Sequence, residues 1–201
     1  MAPIPPRRSG HPGAAVAALV NPTALAGRVA SWCDRVPVRL LLIRHATAVP
    51  SGTSGVEDDE RPLTGRGRKR FRVAARGLAR IVDRPDVLFT SPLPRAAETA
   101  EIAAHAFGKL EPRHERALAR GGVEGILTLL KRQPSKSTVA IVGHEPVLSQ
   151  VLARLLGSGR AERFAFKKGG AALVDLPGDG VSAGRLVWFL RPRILRDLAD
   201  D

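Results

Sequence analysis

Arg44 and His45 close the apolar run Val38-Arg39-Leu40-Leu41-Leu42-Ile43. A histidine at the carboxyl end of a buried strand lies at the mouth of an α/β sheet, where ligands bind. The arginine beside it offers a planar, permanently charged fork for phosphate oxygens. A second arginine, Arg95, stands in Ser91-Pro92-Leu93-Pro94-Arg95-Ala96, and a second histidine, His144, ends Val139-Ala140-Ile141-Val142-Gly143-His144. Neutral imidazole is a competent nucleophile, and neighbouring cations are expected to hold His45 in that form. Attack by His45 on phosphorus would give a phosphohistidine that water then hydrolyses. Arg44 and Arg95 could each pair with non-bridging oxygens, and His144, if protonated, would add a further charged donor. Such transfer depends on positioning and charge stabilisation, so loss of one donor is expected to cost about 3–4 kcal/mol. Either histidine alone reads more readily as an ordinary strand-end residue. Four such groups, each following a predicted strand, favour the chemical reading.

The elements that must position them alternate from Val38 onward. Strands are predicted over Val38–Ile43, Asp86–Thr90 and Thr138–Val142. Between the first two lies the polar loop Thr47–Arg61, which carries the acidic run Glu57-Asp58-Asp59-Glu60 and is expected to be a solvated loop. A helix capped by Thr64 follows, with Phe71, Ala74, Ala75, Leu78, Ile81 and Val82 at three- and four-residue spacing. A second helix begins near Leu93 and sets Ala97, Ala100 and Ala104 on one face. Residues 108–120 read as a mixed loop. Val123–Leu130 reads as a helix, as does a segment from Pro146 to Leu156, closed by Gly157. Gly170–Leu176 and Arg185–Leu190 read as strands joined through Pro177-Gly178-Asp179-Gly180, a hairpin signal. This order predicts a three-layer α/β/α fold with a mostly parallel sheet and an antiparallel C-terminal hairpin.

Composition narrows the class. The chain has 201 residues, 44% of them hydrophobic, enough for one domain with a proper core. No apolar run approaches the roughly 18 residues of a membrane span. Cys33 is the sole cysteine, which excludes an internal disulfide or a cysteine-based metal site and suits a reducing cytoplasm. His11, His105 and His114 are isolated, with no metal-ligand spacing. The net charge of +13 favours acidic or phosphorylated partners. Nucleic acid is not the expected partner, because aromatics are only 4% and no recognition motif appears. The basic run Arg66 to Arg80 places Arg72, Arg76 and Arg80 on one helix face, expected to be solvated, with docking of an acidic partner as the alternative. Gly65-Arg66-Gly67 follows a loop and lacks a third glycine, so it is no dinucleotide fingerprint. Glu98 and Thr99 are expected to pack or hydrogen-bond behind the site, and Trp32 and Trp188 to pack. Residues 1–37 differ in composition: Met1–Gly13 is rich in proline, glycine and arginine, and Thr23–Trp32 could form a short helix. We expect an N-terminal extension over 1–37 and one domain over 38–201.

From Val38 to Arg193 the chain resembles the histidine phosphatase superfamily, with its phosphoglycerate mutase-like fold. It looks most similar to the SixA-type phosphohistidine phosphatases. The resemblance rests on Leu42-Ile43-Arg44-His45-Ala46, on Arg61-Pro62-Leu63-Thr64 with Gly67, on Ser91–Ala96 with Thr99, and on Val142-Gly143-His144-Glu145-Pro146. Lys167-Lys168-Gly169-Gly170-Ala171 before the hairpin adds to it. The resemblance implies that His45 accepts the phosphoryl group and that Arg44, Arg95 and His144 form the phosphate pocket. Ala46 stands where the superfamily usually has glycine, a change that SixA-like members share. Mutase-type members place a carboxylate between the second arginine and the second histidine. Here Glu111, Glu115 and Glu124 are the candidates, and none sits in a matching motif; the acidic run Glu57–Glu60 could serve instead. A leaving imidazole is easily protonated, so phosphoramidate hydrolysis needs less acid catalysis than ester hydrolysis.

These readings converge on a cytoplasmic phosphatase that needs no metal or other cofactor and removes phosphate from phosphohistidine on a signalling or phosphocarrier protein. Only 48 residues, Ala96 to Gly143, separate the second arginine motif from the second histidine motif. That leaves little room for a substrate-enclosing cap, so a shallow, open pocket is expected. The alternatives are a phosphatase of small phosphate esters or nucleotides, and a non-catalytic phosphate- or phosphohistidine-binding module.

Overall fold

The computed structural model describes residues 38–177 and 183–200, all within the unit Val36–Asp201. The helix expected over Thr23–Trp32 and the turn over Gly178–Gly180 lie outside the described residues. Strand β1 (Val38–Arg44) sits inside a six-stranded sheet. The others are β2 (Val87–Thr90), β3 (Arg113–His114), β4 (Thr138–Gly143), β5 (Ala171–Leu176) and β6 (Arg185–Leu190), in the spatial order β3-β2-β4-β1-β5-β6. β1, β2 and β3 run parallel through β4, while β5 and β6 return antiparallel beside β1. The expected mixed sheet and C-terminal antiparallel pair are therefore present.

β1 is apolar on both faces because helices cover both. Side chains alternate along a strand, and here Leu41 and Ile43 face one layer while Leu40 and Leu42 face the other. The first layer holds α1 (Gly65–Ile81), α2 (Pro94–Ala106) and α6 (Pro192–Asp197), through Phe71, Leu78, Ala100, Ala103 and Leu195. The second holds the one-turn helix α3 (Ala117–Arg120), α4 (Gly122–Lys131) and α5 (Val147–Leu155), through Leu118, Ile126, Leu130, Leu148 and Leu152.

Several expectations change in detail. Ile81 does not join the apolar stripe of α1 but is 36% exposed at its last turn, and Val82 turns inward as the cap. The segment 108–120 holds β3 and α3, each too short to leave a periodic signal. Pro146 precedes α5 rather than opening it. α6 was not anticipated at all: six residues give too few turns for a hydrophobic period to show.

Candidate active site

His45 follows β1 directly, and His144 follows β4, its parallel neighbour. The pairing Arg44↔Gly143 sets the two strand ends side by side, so the imidazoles meet with ring centroids 5.1 Å apart. Arg95 enters from the first turn of α2, where Pro94 holds a first-turn position that suits its fixed backbone angle. The four residues singled out by sequence thus converge at the carboxyl edge of the sheet.

Hydrogen bonds fix His45, Arg44 and Arg95. His45 Nδ1 lies 2.8 Å from the Ala46 carbonyl oxygen, which can only accept a hydrogen bond. The proton of neutral His45 therefore sits on Nδ1 and the lone pair on Nε2. The Ala46 N–H donates to Thr99 Oγ1 at 3.0 Å, and Thr99 Oγ1 donates to the Arg95 carbonyl at 2.6 Å. One buried hydroxyl thus ties the loop after His45 to the turn that carries Arg95, as expected of a group behind the site. Glu98 accepts from Leu63 N–H at 3.1 Å and from Arg68 Nε at 2.6 Å, anchoring the loop before α1 to α2. Gly67 is demanded by this docking, because a Cβ there would lie 2.1 Å from the Thr47 carbonyl oxygen. Arg44 donates through Nη1 to the Phe166 carbonyl, and the Gly169 N–H donates to the carbonyls of Arg44 and His45.

The electrostatics follow from burial. His45 is 5% exposed, and its pKa is pushed down to about 3. Desolvation is the main cause, opposed by the Ala46 hydrogen bond and aided by His144, Arg95 and Arg44. The neighbouring cations expected to keep it neutral do contribute, but burial contributes more. His144 is pushed down to about 4, again mainly by desolvation and then by Arg95, Arg44 and Arg61. In the free protein His144 is therefore neutral near pH 7, and it becomes a charged donor only if an anion raises its pKa. The Nε atoms of Arg44 and Arg95 and both ring nitrogens of His144 are buried without a hydrogen-bond partner. Buried donors without acceptors are costly in an ordinary core. Gathered around one imidazole, such donors could receive an oxyanion.

The acidic run is exposed at all four positions, as expected of a solvated loop, and it also has a fixed shape. It forms a 3₁₀ turn, Asp58–Glu60, against the first turn of α2. Arg95 Nη1 donates to the Asp58 carbonyl at 2.9 Å, and Arg61 Nε lies 2.9 Å from the Asp58 carboxylate. Asp58 has its pKa lowered, first by the Ser51 hydroxyl and then by Arg61, so it stays ionised and is no proton donor near neutrality. No inserted cap appears among the described residues of 96–143, which instead form α2, β3, α3, α4 and β4. Of the candidate acids, Glu111 lines a cavity with Asp86 and Val87, at the opposite end of β2 from Thr90, while Glu124 is exposed in the first turn of α4. Glu115 is half-buried, its N–H bonded to the Thr90 carbonyl. The carboxylates whose charge reaches the four site residues are Asp58, Asp59 and Glu145.

Sequence reasoning gave no role to Arg61 or Glu145, although both stand in the quoted motifs. Glu145 accepts from the Phe166 N–H at 2.7 Å and from Ser149 Oγ, so it holds the segment whose carbonyl receives Arg44. Its position beside His144 was the available signal. Among the described residues, no group of three or more His, Cys, Asp or Glu side chains is placed to hold a metal ion.

An α/β/α sandwich with paired histidines and arginines at its carboxyl edge defines a class, and sequence comparison agrees with it. The pattern of the histidine phosphatase superfamily (branch 1) matches residues 40–126, and the chain belongs to that superfamily. An uncharacterised protein of Picosynechococcus sp. is 31% identical over 136 residues, covering 66% of this chain and 82% of the relative. The crystal structure assigned as the phosphohistidine phosphatase SixA of Agrobacterium tumefaciens is 26% identical, with a TM-score of 0.67 over 78% of this chain and 99% of that one. A mycobacterial glucosyl-3-phosphoglycerate phosphatase shares the fold at 16% identity, with a TM-score of 0.60 over 77% of this chain and 99% of that one.

Proposed function

We propose that this phosphatase-family protein hydrolyses phosphohistidine on a signalling or phosphocarrier protein, through a covalent intermediate on His45. The observation that carries the reading is the 5.1 Å pairing of His45 with His144 beside the unpartnered Nε atoms of Arg44 and Arg95. In the first step His45 Nε2 attacks phosphorus while the bond to the substrate imidazole nitrogen breaks, and that nitrogen takes a proton from solvent water as it leaves. In the second step water attacks the phosphorus and releases phosphate and free His45. Arg44 and Arg95 bind the non-bridging oxygens throughout, and His144 supplies a donor that gains its proton as negative charge arrives. The 26% identical relative assigned as a phosphohistidine phosphatase supports the same substrate class.

The test is release of phosphate from a phosphohistidine-bearing phosphotransfer domain by wild type and by His45→Ala. Release by wild type, with a loss of at least a thousandfold in His45→Ala, is the expected result. Turnover of simple phosphate esters far above that of the phosphodomain would instead assign the protein to the ester phosphatases. Stable phosphate binding without turnover would make it a binding module.

A further inference from the structure

A second basic concavity adjoins the pocket without sharing its four residues. It has a volume of about 250 Å³ and begins at Ala46 and Thr47, the residues that follow His45. Its walls are α1, the segment Lys167–Gly169 and α6 with the residue before it. Six cations line it, Arg70, Lys167, Lys168, Arg191, Arg193 and Arg196, and no acidic side chain does. Arg193 has a loose partner in Asp197 at 3.9 Å, with both side chains well exposed. The other five make no ion pair among the described residues. Like charges held this close repel one another, a cost relieved by an anionic ligand.

The cleft is bound rigidly to the catalytic motif. The Gly169 N–H bonds to the carbonyls of Arg44 and His45, the Gly170 carbonyl accepts from the Arg44 N–H, and the Phe166 carbonyl accepts from the Arg44 side chain. Lys167 and Lys168 therefore project from a segment fixed on either side to the residue next to the nucleophile. Whatever occupies the cleft lies beside a substrate in the pocket.

We propose that this cleft docks an acidic face of the protein that carries the phosphohistidine, so that Asp and Glu side chains flanking the modified histidine meet its six cations. This deepens the phosphohistidine-protein reading and rests on it. Charge complementarity singles out an acidic partner. The absence of an exposed aromatic in the cleft, where Phe71 is 3% exposed, removes the stacking platform that single-stranded nucleic acid uses.

The experiment compares two substrates with the same scissile bond, free phosphohistidine and a phosphohistidine-bearing phosphotransfer domain with an acidic surface. The variant is the double charge reversal Lys168→Glu with Arg193→Glu, both at exposed positions. The expected result is a loss of about tenfold or more in kcat/KM for the phosphodomain, with free phosphohistidine turned over as by wild type. Wild-type turnover of the phosphodomain should also fall with added salt more steeply than that of the variant. Equal losses on both substrates would make the cleft part of the chemical site and overturn docking, and so would no loss on either. Competition by duplex DNA at physiological salt, abolished by the same reversal, would assign the cleft to nucleic acid instead. Wild-type turnover of free phosphohistidine but not of the phosphodomain would defeat the protein-substrate reading itself, before any variant is compared.

Discussion

His144 is where the site's charge state is decided. Burial and three guanidinium groups hold its pKa near 4, so the free protein presents a neutral ring at pH 7. An oxyanion placed among Arg44, Arg95 and His144 reverses the sign of the local field and raises that pKa. Anion binding and proton uptake are therefore linked, and affinity falls as pH rises through the neutral range. Tungstate, a dianion that does not itself titrate there, isolates the effect. Calorimetry in buffers of different ionisation enthalpy should show tungstate taking up a substantial fraction of a proton at pH 7. With His144→Gln the uptake should vanish and affinity should drop by roughly tenfold, about 1.4 kcal/mol. Uptake unchanged in that variant would move the proton to another group. At this scale the sequence was informative: Arg44, His45, Arg95 and His144 all stand beside strand or helix ends that short-range patterns reveal. Arg61 escaped, and Asp58 was legible only as part of an acidic run, because a loop's path, not its composition, carries them to Arg95.

Among the elements, α1 does the most positioning. Its first turn is capped by Thr64 and lies so close to Thr47 that only Gly67 fits, and its last turns press equally closely on α6. A Cβ at Gly77 would stand 1.9 Å from the Leu195 carbonyl oxygen and 3.1 Å from the Ala199 N–H. In an isolated helix alanine would be better than glycine by about 1 kcal/mol. Here the clash should outweigh that gain, with overpacking costing roughly 1–3 kcal/mol. Gly77→Ala is thus expected to lower the melting temperature by several degrees. Because α6 supplies Arg193 and Arg196 to the basic cleft, phosphodomain turnover should suffer more than turnover of free phosphohistidine. An unchanged or raised melting temperature would show that α6 shifts without loss. The long helices and interior strands could be read from apolar spacing alone. β3, α3 and α6 could not, since two, four and six residues are held in place by their neighbours rather than by any pattern of their own.

For the molecule as a whole, the pocket groups and supports named above, all among the described residues, lie after Val38. We therefore expect a polypeptide of residues 38–201 to retain phosphohistidine turnover within about twofold and to melt within a few degrees of the full chain. Parallel activity assays and thermal melts would check this, and failure of the shorter chain to fold would assign residues 1–37 a structural part. The excess of positive charge, +13 overall, acquires a location in the six cations beside the catalytic motif, which composition alone could not supply. The central place of β1 also has a consequence for how the molecule is made. Its partner β4 lies about 100 residues downstream, and its other partner β5 about 130. On the ribosome, then, the apolar segment Leu40–Ile43 is synthesised long before either neighbour exists. It waits without its sheet partners, an exposed apolar stretch of the nascent chain, until late in translation. Catalytic competence is for the same reason a late event, reached only when the final strands close around the first.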